Sequence, residues 1–245
     1  MDYYGLMFSR LPLLTLLLTT ALMAQAQQPD PAPAAPPANS ALDGELFYQL
    51  MVGEFSTQHG ETGVGYSLIL DAARKTGDAR LYQRAIDISL QSRAGESALQ
   101  AARAWKQAQP NSRDANRYVL QILIGLNRLN ETVEPLKREI ALTEAKDRAL
   151  TIVTLPRYFA RSSDKKLATE MLEQALAEHL GNPGTGAAAW SAVGRMRLEN
   201  EDSAGALAAA RPGQTLDARA EGPALLALAL MSPQQPGPET IVRKS

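Results

Sequence analysis

The side chains that could do chemistry in this chain are few and scattered. His59 and His179 are the only histidines in 245 residues, and there is no cysteine. A zinc site would therefore have to lean on carboxylates. Disulfides, thiolate ligands, cysteine nucleophiles and a lipid-modified cysteine are all excluded together. GNPGTG at 181–186 has the glycines of a phosphate loop, but no Gly-Lys-Ser/Thr follows, so it reads as a helix stop and turn. GVGYS at 63–67 is not the G-x-S-x-G of a nucleophile elbow, and no strand precedes it. His59 falls in a QHG turn, and Glu199 and Glu201 in a short polar turn where solvation accounts for both. His179, in AEHLGNP, is expected in the last turn of a helix, where a cation suits the C-terminal end of the dipole. These residues predict no catalytic group, no metal ligand and no cofactor.

Composition narrows the class further. The chain is 45% hydrophobic but only 5% aromatic, with Ala and Leu dominant, which favours helices because both lose little on entering one. Its formal net charge of −1 gives no field to draw it to nucleic acid, and no basic platform with interleaved aromatics makes up for that.

The N-terminal region reads as an address. LPLLTLLLTTALM at 11–23 is preceded by Arg10 and followed by Ala24-Gln25-Ala26, the order of a secretory signal peptide. The apolar run is shorter than the ~20 residues of a membrane span. Cleavage is expected between Ala26 and Gln27, leaving no transmembrane segment in the mature chain. Asp2 fits a signal poorly, so translation is expected to start at Met7. Residues 27–44 carry prolines at 29, 31, 33, 36 and 37 and read as an extended, solvated linker. The mature chain is thus expected in the periplasm, with repeats over 45–231 and a flexible tail over 232–245.

From residue 45 onward, apolar residues recur three and four apart, as in ELFYQLMVGEF, RLYQRAIDISL, RYVLQILIGL and ATEMLEQALAEHL. Short breakers such as QHGETG and QPNSRD separate them. Trp190, Val193 and Gly194 then match the first three marked positions of W-x2-L-G-x2-Y, with Ala206 and Ala210 in the following helix. Ala98, Ala102, Trp105 and Pro110 stand at separations of 4, 3 and 5. Small residues recur at 65, 98, 132, 168 and 206, spaced 33, 34, 36 and 38 apart. On these residues the chain resembles the tetratricopeptide (TPR) family over residues 45–231. The resemblance implies an all-α, right-handed solenoid of about five helical hairpins, with units starting at 46, 79, 113, 149 and 187. Pro156 is expected to kink the first helix of the fourth unit. Ala220–Met231 is expected to cap the solenoid poorly.

The signal, the proline-rich linker and LFYQLMVGEFSTQHG resemble the opening of periplasmic TPR proteins of Gram-negative bacteria. Among these are lipoprotein adaptors of a carboxyl-terminal processing protease. The resemblance implies a scaffold or adaptor, not an enzyme, that binds a protein or peptide without covalent chemistry. It implies that the concave face is lined by Glu54, Arg80, Gln83, Asp87, Arg117, Gln121 and Arg195. Arginine and glutamine suit that task because they offer several donors to peptide carbonyls and carboxylates. The alternatives are a structural component of cell-envelope assembly and a helical periplasmic hydrolase.

Overall fold

The computed structural model describes residues 43–230, and among them there are eleven α-helices, three short 3-10 segments and no strand. The helices follow one another as hairpins. α1 (Gly44–Gln58) pairs with α2 (Thr62–Thr76), α3 (Ala79–Gln91) with α4 (Gly95–Ala108), and α5 (Arg113–Gly125) with α6 (Val133–Ala141). In the fourth hairpin α7 (Arg148–Thr154) runs on into a 3-10 segment, Leu155–Phe159, which packs on α8 (Lys165–Leu176). In the fifth, α9 (Gly186–Glu199) pairs with α10 (Ser203–Leu216), before a last helix, α11 (Glu221–Ala229). The fold is an all-α, TPR-like solenoid of five hairpins. The expected signal cleavage at Ala26/Gln27, the start at Met7, the linker before residue 43 and the tail over 232–245 lie outside the described residues.

The repeat register is physical. Gly65, Ala98, Thr132, Ala168 and Ala206 all sit three residues after the start of a second helix, counting from Leu129 of the 3-10 turn Leu129–Glu131 in the third hairpin. All five are buried. Thr132 is the polar exception, and its hydroxyl donates to the Leu129 carbonyl at 2.7 Å, so no polar group is left unpaired there.

Five residues before this slot the backbone turns over in the same way. Gly60, Arg93, Asn127 and Glu201 all have positive φ (86°, 58°, 56° and 61°). The next amide in each case bonds back five residues: Glu61 to Ser56, Ala94 to Ser89, Arg128 to Leu123, and Asp202 to Arg197. That is the six-to-one bond of a Schellman helix ending, which satisfies otherwise orphaned carbonyls. Only one of the four residues is glycine, so the left-handed turn is imposed on Arg93 and Glu201 by the hairpin packing. Of the helices that follow these turns only α10 has a side-chain cap, Asp202 accepting from Gly205 at 2.8 Å, whereas Ser112 caps the first helix α5 by accepting from the Ala115 amide at 3.1 Å.

The fourth hairpin breaks the pattern. α7 ends at Thr154 and the chain continues as a 3-10 turn, Leu155–Phe159, because Pro156 has no amide to donate. Leu155, Pro156 and Phe159 stay buried, so the break changes the helix type without expelling the apolar stripe. Stacking buries the apolar faces in three successive clusters. One cluster gathers Tyr82, Trp105 and Ile69, with the Tyr82 and Trp105 rings parallel and 6.4 Å apart. A second gathers Leu136, Phe159, Leu172 and Val193 across hairpins three to five.

One expectation needs correction. His179 is not in the last turn of a helix, since α8 ends at Leu176. It sits in the following turn, its Nδ1 3.1 Å from the Thr185 hydroxyl, and burial lowers its pKa below the ordinary value, which opposes a capping cation. The poor cap expected over Ala220–Met231 is only refined. α11 packs on α9 and α10, and a Cβ at Gly194 would meet the Leu226 side chain. It caps incompletely, because Leu225 and Leu228 remain exposed.

Candidate peptide-binding face

The first helices of the hairpins, α3, α5, α7 and α9, together with α11, carry the residues of interest. Two open clefts lie along them. One, of about 210 Å³, is lined by Arg113 and Arg117 of α5, Glu139 of α6, Leu150, Thr151 and Thr154 of α7, and Tyr158. The other, of about 370 Å³, lies between α7, α9 and α11 and is lined by Val153, Ser191, Arg195, Leu198, Leu225 and Leu226 among others. α7 contributes to both. Leu150, Val153 and Leu225 are exposed apolar side chains, so the surface between Arg117 and Arg195 alternates cationic and apolar groups.

The first cleft is organised by a buried acid. The Glu139 side chain is 2% exposed, on the apolar side of α6 between Leu136 and Ile140. Its Oε1 accepts from Arg113 at 2.9 Å and faces Arg117 at 3.4 Å, and its Oε2 lies 3.4 Å from the Asn116 amide nitrogen. That amide also donates to the Pro135 carbonyl at 2.9 Å. A buried carboxylate persists only when paired and hydrogen-bonded, and α5 supplies all three partners. Tyr158 and Glu139 beside it raise the Arg117 guanidinium pKa against the opposing effect of burial. Burial in turn raises the Tyr158 phenol. Arg117 is thus a fixed cation at a cleft rim rather than a freely moving one.

Arg195 differs. It is exposed, and its one short partner is Glu199 one turn on, at 3.3 Å. Such exposed pairs are weakly held, so its guanidinium can turn to another acceptor.

The remaining candidates lie toward the other end. Glu54 is held by Arg84 of the next hairpin through two hydrogen bonds of 2.7 and 2.6 Å. That bond lowers the Glu54 pKa and ties α1 to α3. Arg80 folds onto its own helix cap, Asp78, at 2.9 Å. Asp87 is exposed near Arg84 and Tyr118, Gln83 is half-buried, and Gln121 is exposed. The structure therefore gathers Arg117 and Arg195 with apolar neighbours, and leaves Glu54 and Arg80 occupied with neighbouring side chains.

Sequence reasoning missed Glu139, Arg113, Tyr158, Leu150, Val153 and Leu225. Glu139 had a signal, a glutamate inside an apolar stripe. Leu150 and Val153 had the register as their signal: in a unit starting at 149 they hold the positions that Arg80 and Gln83 hold in the unit starting at 79.

The opposite, second-helix side is chemically different. A shallow groove there is lined by Arg74, Glu96, Gln100, Arg103 and Gln107. Two of its charges are tied up by neighbours: Glu96 pairs with Arg128 at 2.7 Å and Arg103 with Glu131 at 2.6 Å, and Arg128 joins Glu131 at 2.6 Å.

No family model and no curated protein sequence matches the chain. Several solved structures are similar to the chain at low identity. A MamA protein is 11% identical with a TM-score of 0.39, covering 71% of this chain and 92% of its own. PilW, a type IV pilus biogenesis factor, is 14% identical with a TM-score of 0.35, covering 82% and 100%. YrrB, described as a TPR protein with an unusual peptide-binding site, is 13% identical with a TM-score of 0.36, covering 71% and 88%. The hairpins and their register carry the assignment to a TPR-like solenoid on their own.

Proposed function

We propose that the chain is a periplasmic scaffold or adaptor that binds an extended or helical peptide segment of another protein along its first-helix face. The observation that carries this reading is the pair of open clefts sharing α7, with Arg117 at one, Arg195 at the other, and exposed Leu150, Val153 and Leu225 beside them. Apolar area supplies the affinity and the guanidinium donors fix the register of a bound chain. A segment with apolar side chains and an acidic or terminal carboxylate has the complementary chemistry. A processing protease, or the substrates handed to it, is the partner class we infer from the sequence resemblance. Recognition of this kind needs no reaction step.

The test is retention of periplasmic proteins by immobilised residues 27–245, compared with Arg195→Glu and Val153→Glu variants. A retained protein that falls at least about 10-fold in each variant, while stability stays within about 0.5 kcal/mol as for ordinary surface changes, supports the reading. Equal retention by all three chains would mean that binding lies elsewhere.

A further inference from the structure

The first helix carries a surface that the peptide-binding reading does not use. Phe47, Tyr48, Met51 and Phe55 of α1 are 54%, 71%, 55% and 63% exposed. At about 100° per residue they fall within one arc of about 100°, a single face of the helix. An unbroken stripe of this kind on a soluble surface marks an interaction site.

The repeat register shows what the stripe is. Tyr48, Met51 and Phe55 stand 17, 14 and 10 residues before the small slot at Gly65. In the four later hairpins those positions are Leu81, Ala115, Thr151 and Ala189; Arg84, Tyr118, Thr154 and Ala192; and Ile88, Ile122, Tyr158 and Met196. All twelve are buried or half-buried, because the preceding hairpin packs on them. Tyr48, Met51 and Phe55 are therefore half of an inter-hairpin interface, with Phe47 at its edge, where the counterparts Arg80, Asp114 and Leu150 are exposed. A preceding second helix at the same spacing would fall at about 29–43, where the sequence has five prolines, each removing a backbone donor. No described residue covers the stripe.

We infer that the cover is α1 of a second copy, packed antiparallel about a two-fold axis through Met51. Phe47 and Phe55 lie four residues on either side of Met51, so each phenylalanine meets the other's counterpart, and Met51 meets itself. The charges agree with this register. Asp43 falls opposite His59, Glu45 opposite Thr57, and Glu54 opposite Tyr48, so no acid faces an acid. A head-to-tail joint with α11 lacks this matching, since α11 is itself a first-type helix and exposes only Leu225 and Leu228.

The size of the patch sets the strength. Four half-exposed large side chains give roughly 400 Å² of apolar surface per copy, below the ~800 Å² per partner of a standard stable interface. The dimer is expected to be weak and concentration-dependent.

All described packing lies within 43–230, so the test uses residues 27–245. Sedimentation velocity from micromolar to near-millimolar concentration should show monomer passing to dimer. Met51→Glu should weaken the dimer at least about 10-fold with unchanged helical circular dichroism. The absence of cysteine makes single thiols specific probes. Under mild oxidation Met51→Cys should cross-link to its own copy, and Phe47→Cys should cross-link to Phe55→Cys far better than to itself. A monomer at every concentration overturns the inference, whether the thiol of Met51→Cys is freely labelled or shielded by residues 27–42. A dimer indifferent to Met51→Glu overturns it too. So does a ladder of higher oligomers broken by Leu225→Glu, which would show head-to-tail assembly instead.

Discussion

The fourth and fifth hairpins answer the same structural demand with opposite residues. Twelve residues before the small slot stand Gly53, Ile86, Leu120, Pro156 and Gly194 in successive hairpins. At Gly194 the absence of a side chain lets α9 approach α10, where a Cβ would lie 3.3 Å from both the Ala206 carbonyl oxygen and Ala209 Cβ, and it also admits Leu226 of α11. At Pro156 the ring ends the α-helix and a 3-10 turn takes over. The fifth hairpin is close and regular, with a Schellman turn at Glu201. The fourth has a longer turn after Phe159, and Leu150 and Val153 of its short α7 face solvent. One register position thus makes a close helix contact in one repeat and a change of helix type in the other.

The largest expected effect is at the tight joint. Gly194→Leu should overpack α9 against α10 and displace α11, costing about 3 kcal/mol. For a domain of this size that lowers the melting temperature by on the order of 10 °C. An unchanged melting curve would mean that the two helices do not meet at Gly194.

Pro156→Ala should do far less. The structure already accommodates the missing donor by its change of helix type, and the ring it loses is buried. Denaturant unfolding should change by no more than about 1 kcal/mol. A stabilisation near the ~3 kcal/mol cost of a proline inside a helix would show instead that the fourth hairpin is a strained version of the fifth.

The smallest effect is at the link between them. His179 ends the fourth hairpin and touches Thr185, the residue before α9. Burial lowers its folded pKa below the ordinary 6.5, with Arg148 adding to the effect and Glu178 opposing it. The unfolded chain therefore binds the proton more readily. Stability is fully present above about pH 6.5 and declines as pH falls from there through the folded pKa. His179→Gln should remove that part of the slope, a change of less than about 1 kcal/mol once solvent screening of a partly exposed group is counted. A slope that survives the substitution assigns it to other groups.

The sequence by itself determined the helical class, the five hairpins and their register. It could do so because the determinants are local. Helical spacing makes each amphipathic stripe, and the small residues at 65, 98, 132, 168 and 206 recur within two helices of their own partners. The break at Pro156 was legible for the same reason, since a missing amide acts on the neighbouring turn. What remained hidden depends on residues far apart in the chain. Glu54 finding Arg84, Glu139 drawing Arg113 and Arg117 across from α5, and Leu226 filling the space at Gly194 are contacts 22 to 32 residues apart, made or missed by how hairpins stack. The same stacking decided which apolar residues stay outside. Phe55 and Ile88 hold the same register position, yet one is exposed and the other buried, because a hairpin precedes α3 and none precedes α1 among the described residues. Local chemistry built the repeat, and tertiary neighbours decided which of its faces were left to bind something else.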